Sequence, residues 1–324
     1  MKKFLCMLSL LLLCAYSGRI NAQTESTSSA TITFFRTPSS LLPGKFSVSA
    51  TKKVSFARGN LQYLASRNLW RFAEHQYDMI GNAKGNTTKD LARATQGYWI
   101  DYFGWGTSGW AGGDNINAYQ PWAYSLTPTE YGPTIAHMPS GVSWGDNEAT
   151  KNYDWGVYNF TSGPDKGYYV LTATEWDYLL RYRSNADNLK SHGSIFGING
   201  AFLLPDNWDW AEATLAAAVS AAGFTWVAGE SCATTKNMIM DNAAGRALWA
   251  AMEAAGAVFL PATGYLEKGE VKYLGTQARY HTSTAASATH AYTLLWEGGA
   301  IGISNGGGRY YGRTIRLAKP VAGE

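Results

Sequence analysis

Three segments near the C-terminus decide the fold of this chain: AVFLPATGY (residues 257–265), YHTST (280–284) and GRTIRL (312–317). Apolar residues alternate in these segments and in the runs between them, which is the pattern of half-buried β-strands. The C-terminal part of the chain is therefore predicted to be a set of strands. We place them at 258–260, 271–273, 291–296, 301–304 and 314–317.

Helices are predicted before most of these strands. The segment TATE (172–175) is a capping box, because a hydroxyl and a carboxylate three residues apart can satisfy free backbone N–H groups at a helix start. The helix that it opens is expected to end near Asn185. Two further helices, Ala211–Ala222 and Asp241–Ala255, are predicted from their composition and spacing, and each is followed by a glycine.

Alternation also begins early, from Phe46 to Tyr63, so the first strands of the domain are free to pair with the last. Separate helical and strand regions of this kind predict an α+β fold. We place one domain at 45–320, after a tether rich in Ser and Thr at 23–44. Residues 99–158 are crowded with glycine and aromatic residues, which indicates long structured loops.

The N-terminus has the layout of a secretory signal peptide. Lys2 and Lys3 precede a short apolar run, and Ala22 is a small residue at the expected cleavage position. We therefore predict a signal peptide at 1–22 and a secreted or cell-surface protein. A lipid anchor on Cys14, with association with the outer membrane, is the alternative.

Charge and cysteine content restrict the function further. The chain has 27 basic and 24 acidic residues, and loss of the signal peptide with its three basic residues leaves 24 of each. A neutral mature chain offers no basic stripe for a nucleic-acid backbone, so nucleic acid is not an expected partner. Two of the 3 cysteines lie in the signal peptide, and Cys232 has no partner for an intramolecular disulfide.

The three C-terminal segments resemble those of bacterial C-type-lectin-like domains of the Fibrobacter and Bacteroides secreted paralogous-domain type. VSFARGNLQY (54–63) and WRFAE (70–74) extend the resemblance, which covers residues 45 to 318. It implies a C-type-lectin-like fold with paired terminal strands, within the formylglycine-generating-enzyme-like superfamily. It also implies recognition of a protein or glycan ligand rather than catalysis.

The chain departs from that pattern in informative places. Relatives commonly read Tyr-Trp-Ser-Ser-Thr where this chain has YHTST. The cysteine pair on which formylglycine-generating activity depends is missing from the C-terminal region, and so is the Glu-Pro-Asn calcium loop of animal C-type lectins. We therefore expect no enzyme, cofactor or metal site of these kinds.

Some proteins with such a tail are variable targets of diversity-generating retroelements. In those systems, randomised adenines in Asn codons can yield most residues except Trp, Glu, Lys, Met and Gln. Between His281 and Tyr311, only Trp296 and Glu297 lie outside the reachable set. The resemblance therefore implies that this region could be diversified.

A binding face is accordingly predicted in the C-terminal region, because exposed Tyr, His and Asn on a rigid frame form adaptable binding surfaces. The competing interpretation is that Tyr280, Tyr292, Leu294 and Trp296 alternate into the core and that the other residues only face solvent. We nominate His281, Ser287, Thr289, His290, Tyr292, Ser304, Asn305, Arg309 and Tyr310.

Catalytic alternatives rest on two patterns. Asp206 and Asp209 flank Trp208, as the paired acids of a carbohydrate-active envelope enzyme could, although Asp206 after a proline also suits a turn. GISNG (302–306) matches a nucleophile pattern, but a glycine turn in a hairpin accounts for it better, because no helix or histidine follows. A structural tip component of a surface or phage fibre is the other alternative.

Overall fold

The computed structural model describes residues 33–34, 41–64, 67, 69–87, 97–105, 154–160, 165–223, 237–267, 269–287, 290–309 and 311–322. All structural statements below refer to these residues. The predicted signal peptide, most of the tether, the aromatic loop region 106–153 and Cys232 lie outside them.

The first strands of the domain pair with the last, as predicted. In a four-stranded sheet, β3 (Lys53–Phe56) lies between β2 (Phe46–Ser47) and β17 (Leu317–Pro320), and β7 (Tyr169–Val170) completes the order β2-β3-β17-β7. Every pairing in this sheet is antiparallel, with Ala318 opposite Phe56. The ends of the described domain are thereby held together.

The closing strand begins later than predicted. Residues 312–314 make only isolated bridges, and the regular strand starts at Leu317. Ile315 and Leu317 are buried, and Arg313 and Arg316 are buried too. Two buried arginines therefore lie in the part of the predicted strand that precedes the regular pairing.

A second sheet carries an aromatic core. Its order is β1 (Thr33–Phe34), β5 (Leu69–Phe72), β4 (Leu61–Leu64) and β6 (Trp99–Ile100). Trp70 stacks on Tyr63 at 4.2 Å between ring centroids and meets Trp155 edge-on at 5.1 Å. Two short helices flank this region, α1 (Lys84–Thr87) and α2 (Trp155–Asn159).

The predicted capping box is confirmed. The Glu175 backbone N–H donates to Thr172 Oγ1 at 3.0 Å, and the Thr172 backbone N–H donates to Glu175 Oε2 at 2.9 Å. These bonds open α3 (Ala173–Asp177), which continues as a π-helical turn, Tyr178–Tyr182. A 3₁₀ turn follows at Ala186–Asn188.

The two other predicted helices cover a mixed sheet. The strands have the order β10 (Asn237–Met240), β8 (Lys190–Ile195), β9 (Ile198–Leu203) and β11 (Val258–Pro261). The helices are α4 (Ala213–Ala221) and α5 (Ala243–Ala254), two residues shorter at the start than predicted. Their apolar side chains join Phe202, Leu204 and Phe259 in one buried cluster.

The C-terminal region forms a hairpin and a three-stranded antiparallel sheet. The hairpin pairs β12 (Tyr265–Glu267) with β13 (Glu270–Lys272). The sheet has the order β14 (Gln277–Ala285), β15 (His290–Glu297) and β16 (Ala300–Gly308). The architecture is thus α+β, as the sequence predicts. Among the described residues, no helix is both long and apolar enough to cross a bilayer.

Candidate ligand-binding face

One face of the three-stranded sheet supports the candidate site. Tyr280 and Leu294 lie opposite each other on β14 and β15, and both are buried in the cluster that also contains Trp176 of α3. Trp296 belongs to the same cluster. The competing interpretation is therefore correct for these three side chains. Tyr292, which it also placed in the core, is only partly buried.

Five of the nine nominated residues have at least part of their surface exposed. His290 and Asn305 are exposed, while Ser287, Tyr292 and Ser304 are partly buried. The His290 backbone N–H donates to Ser287 Oγ at 3.1 Å, which closes the turn that leads into β15. Thr289 and Tyr310 lie outside the described residues.

His281 is a correction to the prediction, because its side chain is only 3% exposed. The ring Nε2 contacts the carbonyl oxygen of Phe103, which fixes the imidazole inside the protein. Burial, with the nearby Arg313 charge, lowers the pKa of His281 to about 3. His281 is a neutral framework residue and cannot reach a ligand at the surface.

Arg309 is the second correction, since it is also 3% exposed. Its guanidinium lies 4.0 Å from the ring centroid of Trp105, and its carbonyl accepts a hydrogen bond from the Trp105 backbone N–H at 3.0 Å. The Trp105 indole N–H donates in turn to the Thr282 carbonyl at 2.9 Å. Arg309 thus helps to hold residues 103–105 against the three-stranded sheet.

An open groove of about 450 Å³ lies between α3 and the strands β15 and β16. Tyr292 and Ile303 line its strand side, and Thr174 and Asp177 line its helix side. Its remaining lining residues are Ala173, Arg181 and Thr284. The lining of the groove combines apolar surface, hydroxyl groups and charged groups, and ligand-binding clefts have this mixture.

The walls of the groove are fixed to each other. The Ala173 backbone N–H donates to Thr284 Oγ1 at 2.9 Å, and the Ser283 backbone N–H donates to the Leu171 carbonyl at 3.1 Å. These bonds join the end of β14 to the start of α3. The groove is therefore largely preformed.

The helix side of the groove was not predicted from the sequence. Asp177 and Arg181 form an ion pair with 3.2 Å between Oδ1 and Nε, and their side chains are 31% and 56% exposed. Their i,i+4 spacing on a helix that begins with a capping box could have indicated the ion pair from the sequence. It did not indicate that this polar side of the helix borders β15 and β16.

The two candidate acids of the enzymatic alternative are held by structural contacts. The Asp206 carboxylate accepts hydrogen bonds from the Ser47 backbone N–H and hydroxyl, and it pairs with the buried Arg183 at 3.1 Å. Asp209 is exposed and accepts from the Ala211 backbone N–H at 2.8 Å. Trp210 packs below in the cluster with α4 and α5, and Trp208 packs against that cluster.

The remaining chemical patterns have structural explanations. GISNG (302–306) lies within β16 rather than at a turn from a strand to a helix, and Ser304 Oγ accepts from the Gly306 backbone N–H at 3.3 Å. The hairpin turn itself is at Gly298 and Gly299, which both have positive φ. No group of three or more His, Cys, Asp or Glu among the described residues could hold a metal ion.

Comparisons of the chain with protein-family models, with curated proteins and with solved structures gave no match.

Proposed function

We propose that this chain is an exported, non-catalytic recognition protein with a C-type-lectin-like fold, secreted or displayed at the cell surface. Its ligand, a protein or a glycan, would bind at the groove between α3 and strands β15 and β16. Tyr292 lines the groove, and the four other nominated residues with exposed surface, Ser287, His290, Ser304 and Asn305, would complete the face.

The groove is the observation that carries this proposal. A volume of about 450 Å³ is within the range of small-molecule and side-chain binding clefts. Tyr292 offers an amphipathic ring on one side, while the Asp177–Arg181 pair offers an acceptor and donors on the other. A preformed cleft binds without first having to order its own walls, which favours affinity.

Recognition is also favoured over glycoside hydrolysis by the contacts of Asp206, one of the two candidate acids. A general acid needs a carboxyl group that can reach substrate, but Asp206 is occupied by Ser47 and Arg183. The side chains at the groove include one carboxylate, Asp177, and it is paired with Arg181. These contacts suit binding rather than proton transfer.

Retroelement diversification of residues 281–311 is part of the same proposal. It would vary the exposed positions on β15 and β16 and leave the buried frame constant. A near-copy of the 3′ end of the gene that differs only at adenines, beside a reverse transcriptase gene, would support it. A neighbourhood without such a copy would limit the proposal to a single, fixed ligand.

The binding proposal is tested with arrays of glycans and of cell-surface proteins probed with labelled protein. Replacing His290, Asn305 and Tyr310 by alanine together, and Tyr292 alone, is expected to abolish at least one of the signals that the parent gives. Thermal stability should change little for these substitutions, because the described positions among them are exposed or partly exposed.

A matched control replaces Asn207, Thr214 and Ser220 by alanine, three exposed residues outside the proposed face. This variant should keep every signal. If both variants of the proposed face keep every signal, or if the control loses the same signals, the proposal is overturned.

A further inference from the structure

Two bulky aromatic residues adopt the left-handed backbone conformation at exposed turns. Phe196 has φ 53° and is 41% exposed, and Tyr273 has φ 55° and is 54% exposed. Large side chains rarely adopt this conformation because Cβ then crowds the backbone, whereas glycine or asparagine adopts it readily. Backbone strain at an exposed aromatic residue is a reason to look for a function.

Tyr273 is the outermost member of a stack of tyrosines. Its ring stacks on Tyr265 with 5.9 Å between centroids and 26° between planes, and Tyr265 packs on Tyr311 at 4.8 Å. The Arg279 guanidinium lies 5.0 Å from the Tyr265 centroid. Tyr265, Tyr273 and Tyr311 with Arg279 are called the tyrosine stack below.

The backbone around the stack is built to hold this arrangement. Gly264 has φ +64°, and a Cβ at this position would lie 2.1 Å from the Lys272 carbonyl oxygen. Only glycine therefore lets the chain entering β12 pass so close to the turn after β13. The Tyr273 carbonyl accepts hydrogen bonds from the backbone N–H groups of Thr276 and Gln277, which fixes that turn.

Phe196 provides a contrast, because its ring is engaged within the protein. It occupies the two-residue turn between β8 and β9 with Gly197, packs on Tyr77 at 4.7 Å and lies under the Arg246 guanidinium at 4.4 Å. Tyr273 has one aromatic neighbour, Tyr265, among the described residues. The greater exposure of Tyr273 leaves an aromatic face directed towards solvent.

The charge of the exposed and partly exposed side chains around the tyrosine stack is balanced. Glu267 and Glu270 lie on the hairpin beside Lys272 and Arg279, and Lys272 pairs with Glu270. The guanidinium of Arg313 lies 5.3 Å from the Tyr311 centroid, but Arg313 is fully buried and does not contribute to the exposed surface. An aromatic surface with no excess of positive charge is poorly suited to a phosphate backbone. It suits an uncharged ligand that can stack on a ring and accept hydrogen bonds from phenol and guanidinium groups.

We propose that the tyrosine stack is a binding site for a neutral saccharide, separate from the groove beside α3. The C–H face of a pyranose ring would pack on the exposed face of Tyr273, and the sugar hydroxyls would meet the donors at its edge. A proline-rich peptide also binds aromatic side chains, but it docks in a groove between them. In the tyrosine stack Tyr273 covers Tyr265, which meets Tyr311 at 54° between ring planes, and the most exposed ring is that of Tyr273.

Affinity electrophoresis tests the site in gels that contain β-glucan, mannan or xylan. The parent protein should be retarded by at least one of these neutral polysaccharides, and calorimetry with its hexasaccharide then gives the affinity. Tyr273→Asn should weaken that binding at least tenfold. Its melting temperature should not fall below that of the parent, because asparagine tolerates the left-handed conformation.

Phe196→Asn is the matched control, since it relieves the same type of strain and should leave saccharide binding unchanged. Array signals that Tyr292→Ala leaves unaltered would overturn the proposed function without affecting this proposal, which depends on Tyr273. No retardation of the parent by any of the three polymers, or unchanged binding by Tyr273→Asn, overturns it. Binding of a proline decapeptide at Tyr273 without binding of any polysaccharide overturns it too.

Discussion

Arg316 Nε donates a hydrogen bond to Asn60 Oδ1 at 2.9 Å, and both side chains are fully enclosed. The same guanidinium donates to the Phe259 carbonyl at 2.9 Å and to Gln76 Oε1 at 3.2 Å. Burial lowers the pKa of Arg316 to about 10, which leaves it charged at neutral pH. One cation thus joins the closing segment to the first strands and to β11.

Replacing Arg316 by methionine should destabilise the fold by about 3 kcal/mol or more. Methionine fills a similar volume, but it leaves Asn60, Gln76 and the Phe259 carbonyl without their buried donor. Urea denaturation followed by tryptophan fluorescence measures the change. Arg181→Met is the control, because its exposed ion pair with Asp177 should contribute about 1 kcal/mol at most. Equal effects of the two substitutions would contradict the role given to Arg316.

Local signals account for what the sequence predicted correctly. The capping box places the start of α3, and the spacing of apolar residues with a following glycine places α4 and α5 within two residues at either end. Alternation places β15 and β16 of the C-terminal sheet, whereas no strand was predicted at 277–285, where β14 lies. Each of these features depends on residues within one or two turns of the same element.

The burial of His281 and Arg309 depends instead on distant parts of the chain. His281 contacts Phe103, which precedes it by 178 positions. Arg309 contacts Trp105, which precedes it by about 200 positions. Where polar and apolar side chains alternate along a strand, the polar ones are normally expected to face solvent. The sequence contains no local sign that residues 103–105 cover this side of the sheet.

Stability should depend on pH through Asp154, which caps α2 and accepts a hydrogen bond from the Val170 backbone N–H at 2.8 Å. Burial raises the pKa of Asp154 from 3.8 to about 7 despite these bonds. The unfolded chain therefore releases this proton at lower pH than the folded protein does. The contribution of the group to stability is complete below pH 4 and is lost as pH rises towards 7.

The measurement compares the parent with Asp154→Asn at several pH values. The unfolding free energy of the parent, relative to the variant, should fall by roughly 1.4 kcal/mol per pH unit between pH 4 and 7. Asp101, whose pKa burial raises to about 6, acts in the same direction and is present in both proteins. A difference that does not vary with pH would refute the assignment.

His281 should have the opposite effect in acid. Its folded-state pKa of about 3 lies below the ordinary value of 6.5, because burial and Arg313 disfavour the imidazolium. The unfolded chain therefore takes up a proton as pH falls from 6.5 towards 3, and stability is lost across that range. His281→Asn removes the titrating group, so relative to the parent it should become more stable with each step below pH 6. His290→Asn, at an exposed position, is the control, and an identical acid response in all three proteins would contradict the prediction.

Two adjacent glycines predict which positions of the C-terminal region tolerate change. A Cβ on Gly307 would lie 2.3 Å from the Nη1 and Nη2 atoms of Arg313, whose side chain is fully buried and would have to shift against its surroundings. A Cβ on Gly306 would meet only Ser304 Oγ, at 3.6 Å. Gly307→Ala should therefore destabilise the protein by about 2 kcal/mol through overpacking, whereas Gly306→Ala should change stability by less than about 0.5 kcal/mol. Thermal denaturation of the two variants measures both changes in stability.

If the region is diversified for binding, selection for folding should keep glycine at 307 and allow replacement at 306. Equal tolerance at the two positions would show that Arg313 does not constrain this part of the face.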